Sequence, residues 1–304
     1  MEIYSKENKN KYLMSTDLSI IIPTYLRQQI VINTLMTLEE QSSKKFEVII
    51  VDQTPKISHQ LKNFKFNQIS YRYMNIEQVG LPNARNYGAE KASGDILIFI
   101  DDDSVPDKNL VKSYRSLFQS LGADVLIGGR VIEKDSNIFK EGENIVGGWI
   151  KWYGKTLKNF DTDNYGECEW APGGNFAVSK KLFILAGGFD PNYIGTAVFE
   201  DGDFGYSVKR SGGKVYYHPE PIIEHLRNPT GGVRQIDPNK GMLYRAHNTV
   251  YFFRKHGKFR FLLFVFIYLH GVALKDWINK KHGLLALFWT LVGFYKGCII
   301  NIKK

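Results

Sequence analysis

Apolar positions recur along this chain with two different periods. Leu18-Ser-Ile-Ile-Ile-Pro-Thr24 is an apolar run of strand length stopped by Pro23, and Gln28 to Gln41 carries apolar residues at helical spacing. Phe46 to Asp52 is a second such run, Ile69 to Met74 alternates as a third strand, Leu81 to Ser93 reads as a helix and Ile96 to Ile100 as a fourth strand. Pro106 to Leu121 predicts another helix and Ala123 to Val131 another strand. Strands alternating with helices predict an α/β protein with a doubly wound, mostly parallel sheet, because parallel neighbours need a crossover of helix length.

The pattern then changes. From Glu133 to Glu169 the periodicity is lost and aromatic residues accumulate, with Trp149, Trp152, Tyr153, Phe160, Tyr165 and then Trp170. Such a segment suits a wall for a sugar, whose C–H faces pack on rings, and equally suits a satellite core. Order resumes at Ala171-Pro-Gly-Gly-Asn-Phe-Ala-Val178. Phe199 to Arg210 then opens with acids and closes with Lys209 and Arg210, as a helix matched to its own dipole, with Gly212-Gly213 behind it. Lys214 to His218 alternates as a strand, and Ile222 to His225 follows.

Composition adds bounds rather than a fold. The 304 residues suffice for a large core, and a net charge of +9 points to an anionic partner: nucleic acid, an anionic membrane or a phosphorylated substrate. No nucleic-acid motif accompanies the charge, and no Walker loop, nucleophile elbow or Cys/His metal spacing occurs. The two cysteines, Cys168 and Cys298, lie far apart and are expected to be free thiols. Met1 to Lys11 is polar and lacks the apolar core of a signal peptide, so a cytoplasmic location is expected.

The candidate chemistry sits at strand ends. Ile96 to Ile100 runs straight into Asp101-Asp102-Asp103, and Phe46 to Asp52 also ends in an acid. Ligands bind beyond the carboxyl ends of strands in open α/β sheets. Three adjacent carboxylates repel one another unless a cation lies among them, which points to a divalent-metal site for a diphosphate. A solvated turn capping the next helix is the alternative. Asp161-Thr-Asp163 shares the spacing but follows no apolar strand, and it is expected to be a solvated loop.

Ile21-Ile-Pro-Thr-Tyr25, Val51-Asp52, Gly80 to Asn86, Asp101 to Asp103, Gly173-Gly-Asn175, Gly188-Phe-Asp190 and Glu200-Asp201 occur in the order seen in glycosyltransferase family 2. Over Leu18 to Leu226 the chain resembles an inverting, nucleotide-sugar-dependent enzyme of the GT-A fold. The resemblance implies that Pro23, Thr24 and Tyr25 line the nucleotide pocket and that Asp52 accepts a hydrogen bond from the base. Gln53 stands where the family often has a second acid or Asn. Arg85 would face the nucleotide or its phosphates, as a guanidinium matches phosphate oxygens. Asp101 and Asp103, with Asp102 between them as the most tolerant position, would hold Mg²⁺ or Mn²⁺ and the diphosphate, with His225 as a further ligand. Asp201 would be the general base, with Glu200 in reserve. Gly174, Asn175, Asp190 and Trp170 would meet the donor sugar or the acceptor.

Beyond His225 the chain becomes basic and apolar. Tyr244-Arg-Ala-His-Asn248 and Phe252 to His256 resemble a helix of rhamnosyltransferase-like members of the family. Two apolar stretches follow, Phe261 to Leu274 and Leu284 to Ile300, and from Arg254 to Lys304 ten Lys or Arg face one acid, Asp276. Such helices suit the headgroup region of an anionic membrane; packing on the catalytic domain or a homodimer is the alternative.

The expected organisation is a polar leader (1–17), a catalytic domain (18–240) with a nucleotide-binding half (18–131) and an acceptor-binding half (132–240), and a C-terminal helical region (241–304). The expected activity is inverting sugar transfer from a nucleoside-diphosphate sugar to a glycan acceptor, lipid-linked by preference, in surface polysaccharide synthesis. The expected place is the inner face of the plasma membrane, peripherally attached. The Gln-x-x-Arg-Trp motif and multiple spans of processive synthases are missing, which implies addition of one or a few sugars. A catalytically inactive nucleotide-sugar-binding scaffold and a nucleotidyltransferase remain open alternatives.

Overall fold

The structure, a computed structural model, describes residues 18–133, 145–228, 231, 232, 238–279, 281 and 283–302. The expectations for the 1–17 leader and for residues 134–144 of the aromatic segment lie outside these residues.

The strands are β1 (Leu18–Thr24), β2 (Phe46–Asp52), β3 (Ser70–Asn75), β4 (Ile96–Ile100), β5 (Ser104–Pro106), β6 (Val125–Ile132), β7 (Gly147–Ile150), β8 (Thr156–Asn159), β9 (Gly166–Glu167), β10 (Asn175–Ser179) and β11 (Lys214–His225). The helices are α1 (Gln28–Glu39), α2 (His59–Lys62), α3 (Leu81–Lys91), α4 (Leu110–Leu121), α5 (Lys180–Leu185), α6 (Glu200–Arg210), α7 (Pro238–Lys255), α8 (Leu262–Ile278) and α9 (Leu285–Ile299).

A mixed, mostly parallel sheet runs in the order β3-β2-β1-β4-β10-β6-β11-β5, with β9 against β11. Its β3-β2-β1-β4 half is parallel throughout. β10 enters antiparallel between β4 and β6. Every residue of β1, β2 and β4 is buried, which requires cover on both faces of the sheet. Alternation decides which face each side chain joins. Ile20, Ile22, Val48 and Ile98 pack with Leu35 of α1 and Phe118 of α4, while Ile21, Ile49 and Phe99 pack with Ala84 of α3 and Phe204 of α6.

The sheet places three strand ends side by side. β1 and β4 are parallel neighbours, so Thr24 and Asp101 leave the same edge. The chain after Asp103 returns as β5, pairing Ser104 with His225 at the end of β11. The segments Lys214 to His218 and Ile222 to His225 form one strand, with a register irregularity between Tyr217 and Ile222. The prolines Pro219 and Pro221, which lack ladder donors, fall there.

α7 to α9 form a separate hydrophobic cluster in which Ala246, Val250, Phe252 and Phe253 pack with Val265, Leu269, Tyr193 and Phe199. Arg254 ties α7 to the end of α9 by donating to the Gly297 and Ile300 carbonyls, both at 2.8 Å. Cys168 and Cys298 are both free.

Candidate active site

The acidic triplet divides by direction. Asp101 is half-buried and opens toward the cleft, whereas Asp102 and Asp103 are buried. Asp103 faces the end of β11, where His225 Nε2 lies 3.1 Å from its Oδ1, and its Oδ2 accepts from the Asn228 N–H at 2.9 Å. The other imidazole nitrogen, Nδ1, meets Glu133 Oε1 at 2.9 Å. Burial would raise the Asp103 carboxyl, yet His225 and Arg27 hold it below the usual carboxylate range. Desolvation opposes charge on His225, but the Asp103 and Asp101 carboxylates and Glu133 bring it up to about 9.

Asp101, Asp103 and His225 each offer one ligand atom, all within 4.8 Å of one another. Two hard carboxylates and an imidazole braced by a third carboxylate suit Mn²⁺ or Mg²⁺, and the residues present therefore fit a divalent cation. Sequence reasoning missed Glu133, although it directly follows β6 as Asp101 follows β4, and an acid beyond a buried strand was the available signal.

Asp102 corrects an expectation. The sequence reading makes it the most tolerant member of the triplet, yet its Oδ1 lies 2.9 Å from Arg27 Nη1 and its Oδ2 accepts from the Thr24 hydroxyl at 2.7 Å. Burial pushes its carboxyl up to about 6 against the pull of Arg27 and Thr24. Arg27 also reaches Asp103 at 3.4 Å and donates to the Asn228 carbonyl at 3.2 Å. Arg27 follows Leu26, a bulky residue held at φ 56, and the resemblance did not single out either.

Across the cleft stands Arg85, expected at the nucleotide or its phosphates and lining the smaller of two cavities. Its guanidinium, 2% exposed, faces carboxylates rather than open space. Nη1 donates to Glu200 Oε1 at 2.6 Å and Asp201 Oδ1 at 3.1 Å, and Nη2 donates to the Gly173 carbonyl at 2.8 Å. Asp101 Oδ1 lies 4.0 Å from Nη2. Burial pushes Glu200 up to about 8 against Arg85, with Asp201 and Asp101 adding repulsion. Burial raises Asp201 as well. Glu200 is closed off, while the Asp201 side chain keeps 27% exposure and accepts from the Gly173 N–H at 3.2 Å.

Gly173 and Gly174 permit this approach. A Cβ on Gly173 would collide with the Asp201 carboxylate, and one on Gly174 with that of Asp101.

Two cavities follow the cleft. One, of about 450 Å³, is lined by Pro23, Thr24, Tyr25, Gln53 and all three residues of the triplet. The other, of about 330 Å³, is lined by Arg85, Trp170, Gly173, Gly174, Glu200 and Asp201. Asp101, His225 and Leu81 line both.

Three predicted ligand contacts are spent on the scaffold. Asp52 is fully buried and lines neither cavity; it accepts from the Thr54 N–H, the Gln28 amide and the Tyr73 hydroxyl, all at 2.7 to 2.8 Å. Asn175, also fully buried, accepts from Tyr114 and donates to the Arg130 and Pro221 carbonyls. Asp190 binds Tyr251 and Lys255 of α7 at 2.7 and 2.6 Å. Asp161 and Asp163 are not merely solvated, since Arg130 pairs with both. Of the aromatic segment and the residue just after it, Trp170 reaches a cavity, whereas Trp152 packs on Phe261 and Phe264.

A mixed α/β/α sheet with an acidic strand end facing a histidine, and a glycine turn facing a second acidic pair, defines the GT-A class of fold. The chain belongs to glycosyl transferase family 2, which matches residues 19–183. It is 29% identical over 286 residues to a chondroitin synthase of Escherichia coli, covering 82% of this chain and 40% of that protein. It is 27% identical over 235 residues to the poly(ribitol-phosphate) beta-N-acetylglucosaminyltransferase TarS of Staphylococcus aureus, covering 69% of this chain and 39% of that protein. The chain thus spans about two fifths of the length of these curated relatives.

Among solved structures, S. aureus TarS 1–349 in complex with UDP-GlcNAc superposes with TM-score 0.63 at 13% identity, over 92% of this chain and 81% of that one. The mannosyltransferase PcManGT of Pyrobaculum calidifontis, in complex with GDP-Man and Mn²⁺, superposes with TM-score 0.54 at 14% identity, over 98% and 93%. These likenesses concern the fold.

Proposed function

We propose that this chain transfers a sugar, with inversion, from a nucleoside-diphosphate sugar to a hydroxyl of a glycan acceptor in polysaccharide assembly. The observation that carries this reading is that Asp101 and His225 line both cavities. The candidate cation ligands stand between a compartment walled by Pro23, Thr24 and Tyr25 and a compartment holding Glu200 and Asp201. Nucleotide would occupy the first, sugar and acceptor the second. The names of the relatives support polymer synthesis, and the ligands named for the solved neighbours support such a donor.

The residues divide the work. Asp101, Asp103 and His225 would hold Mg²⁺ or Mn²⁺, whose charge stabilises the departing diphosphate. Asp201, the more open of the acidic pair, takes the proton of the attacking hydroxyl, oriented by Arg85 and the Gly173 N–H. Glu200 anchors Arg85 from behind. Trp170 offers a ring to the sugar, and its buried indole N–H has no partner among the described residues.

The decisive experiment incubates the protein with UDP-, GDP-, dTDP- and CMP-sugars and a glycan acceptor pool, with Mn²⁺ and then with EDTA. Release of nucleoside diphosphate that depends on the cation is expected. Binding without release would support an inactive scaffold, and pyrophosphate release from a nucleoside triphosphate would support a nucleotidyltransferase.

The same reading places the protein on the cytoplasmic face of an anionic membrane. Leu263, Ile267, Leu274 and Ile278 form one exposed apolar row on α8, and Leu284 at the N-cap of α9 forms another with Phe288, Leu291 and Tyr295. Arg260, Lys275, Lys281 and Lys296 are exposed on the same helices or at their ends. Phe259–Ile278 is also long and apolar enough to cross a membrane. Vesicles containing phosphatidylglycerol should retain the protein, and pure phosphatidylcholine vesicles should retain less. Dimerisation without lipid binding would assign the face to a second copy.

A further inference from the structure

α7 turns a polar row toward the segment that joins α5 to α6. Asn248, Tyr251 and Lys255 stand at positions i, i+3 and i+7, which fall on one helical face. Asn248 is fully buried and makes a two-way contact with one residue: its Oδ1 accepts from the Ile194 N–H at 3.2 Å, and its Nδ2 donates to the Ile194 carbonyl at 3.0 Å. The Tyr251 hydroxyl donates to Asp190 at 2.7 Å. Lys255 Nζ bridges two carboxylates, Asp190 at 2.6 Å and Asp203 at 2.8 Å. His256 Nε2 joins Asp203 from the other side at 2.8 Å.

The strap held in this way, 190–203, walls both compartments. Pro191, Tyr193, Ile194 and Gly195 line the cavity of Thr24 and Tyr25, and Thr196 to Phe199 line the cavity of Asp201. It also contains two non-glycine residues in the left-handed region, Ala197 at φ 52 and Phe199 at φ 76. Such conformations persist only where the surroundings over-determine them. Phe199 is the N-cap of α6, and Glu200 and Asp201 follow it directly. A small displacement of the strap therefore displaces the candidate base.

A helix that merely covered the domain would need an apolar face here. α7 has one in Ala246, Val250 and Phe253, and it spends three further side chains on buried polar bonds whose geometry is specific. We infer that Asn248, Tyr251 and Lys255 are positioning residues that hold the 190–203 strap and thereby set Asp201 against the donor. The C-terminal helical region thus completes the transfer site. This inference rests on the proposed sugar transfer for its kinetic consequence and on contacts alone for the clamp.

The test uses the full chain with Tyr251→Phe, Lys255→Met, Lys255→Arg and Asn248→Ala, read by amide hydrogen exchange and by donor turnover. In Lys255→Met, exchange of peptides within 190–203 should rise about tenfold while β1, β2 and β4 keep wild-type protection. With whichever nucleotide sugar the wild type consumes, kcat should fall at least tenfold and donor KM should rise by a smaller factor, since the strap also lines the nucleotide cavity. Lys255→Arg, which keeps the charge, should recover most of the rate, and Tyr251→Phe tests the row without changing its volume. Unchanged strap exchange in Lys255→Met and Asn248→Ala overturns the clamp. Exchange that rises across the whole sheet, or a looser strap with unchanged kcat, overturns the positioning role. A wild type that consumes no donor defeats the transfer reading, and strap exchange then still decides the clamp by itself.

Discussion

Arg85 Nη1 stands 2.6 Å from Glu200 Oε1, and both side chains are closed off from solvent. The pair joins α3 to the first turn of α6 across the cleft, and the same nitrogen reaches Asp201. One cation thus arranges two carboxylates that would otherwise repel each other.

Replacing Arg85 by Ala leaves Glu200 buried and uncompensated. The expected loss is about 1–3 kcal/mol of folding stability, the usual cost of leaving a buried polar group without its partner, because burial keeps the Glu200 carboxyl protonated up to about 8. Urea denaturation measures it, and a loss below about 1 kcal/mol, the range of solvated pairs, would contradict the geometry.

Asp201→Asn removes the proton acceptor and keeps its shape. Transfer should fall by roughly 10²–10⁴-fold, the contribution of a positioned base. Calorimetric affinity for the nucleoside diphosphate should stay within twofold, because Asp201 does not line the cavity of Thr24 and Tyr25. An active variant moves the base to Glu200.

Glu200 has its pKa raised from 4.5 to about 8, chiefly by burial. The unfolded chain releases this proton near 4.5 while the native chain still binds it, so stability declines as pH rises through this window. Glu200→Gln carries no such proton. The melting temperature of Glu200→Gln relative to wild type should therefore climb from pH 5 to about 8 and then level off. A constant difference would remove the burial account.

His225 must be neutral to ligate, and its neighbours raise it to about 9. Mn²⁺ affinity, measured by electron paramagnetic resonance, should therefore strengthen with pH by about tenfold per unit up to that value. His225→Gln should bind Mn²⁺ more weakly and lose this dependence. Equal affinity in the two proteins would remove His225 from the site.

Asp102 serves as a structural anchor for Arg27 and Thr24. Asp102→Ala should cost about 1–3 kcal/mol by urea denaturation, since Arg27 and Thr24 each lose a buried partner while Arg27 keeps Asp103 and the Asn228 carbonyl. Wild-type stability would restore the tolerance that sequence reasoning assigned to it.

Local rules made much of this protein legible in its sequence. Leu18 to Thr24, Phe46 to Asp52 and Ile96 to Ile100 announce buried strands because covering both faces of a sheet demands continuous apolar residues. Asp101, directly after Ile96 to Ile100, announces the cleft, because a strand's end is fixed by the strand itself. Asp101 and Asp103 follow from acids at a strand end and His225 from the family resemblance, and the fold brings their ligand atoms within 4.8 Å.

Other assignments depended on what a side chain meets from distant parts of the chain. Arg85 was expected at phosphates and faces Glu200, 115 residues away. Asp190 was expected at a sugar and binds Lys255, 65 residues away. Asp52 and Asn175 carry family motifs, yet their hydrogen-bonding capacity is taken up inside the fold. A carboxylate or amide has the same spacing in the sequence whether its partner is a ligand or another strand. The sequence by itself therefore determined the parallel strands β1 to β4, their crossovers and the acids at their ends, all set by periodicity within a few residues. Tertiary structure alone decided which polar groups remain open to the cleft, because desolvation and pairing depend on neighbours that only folding supplies.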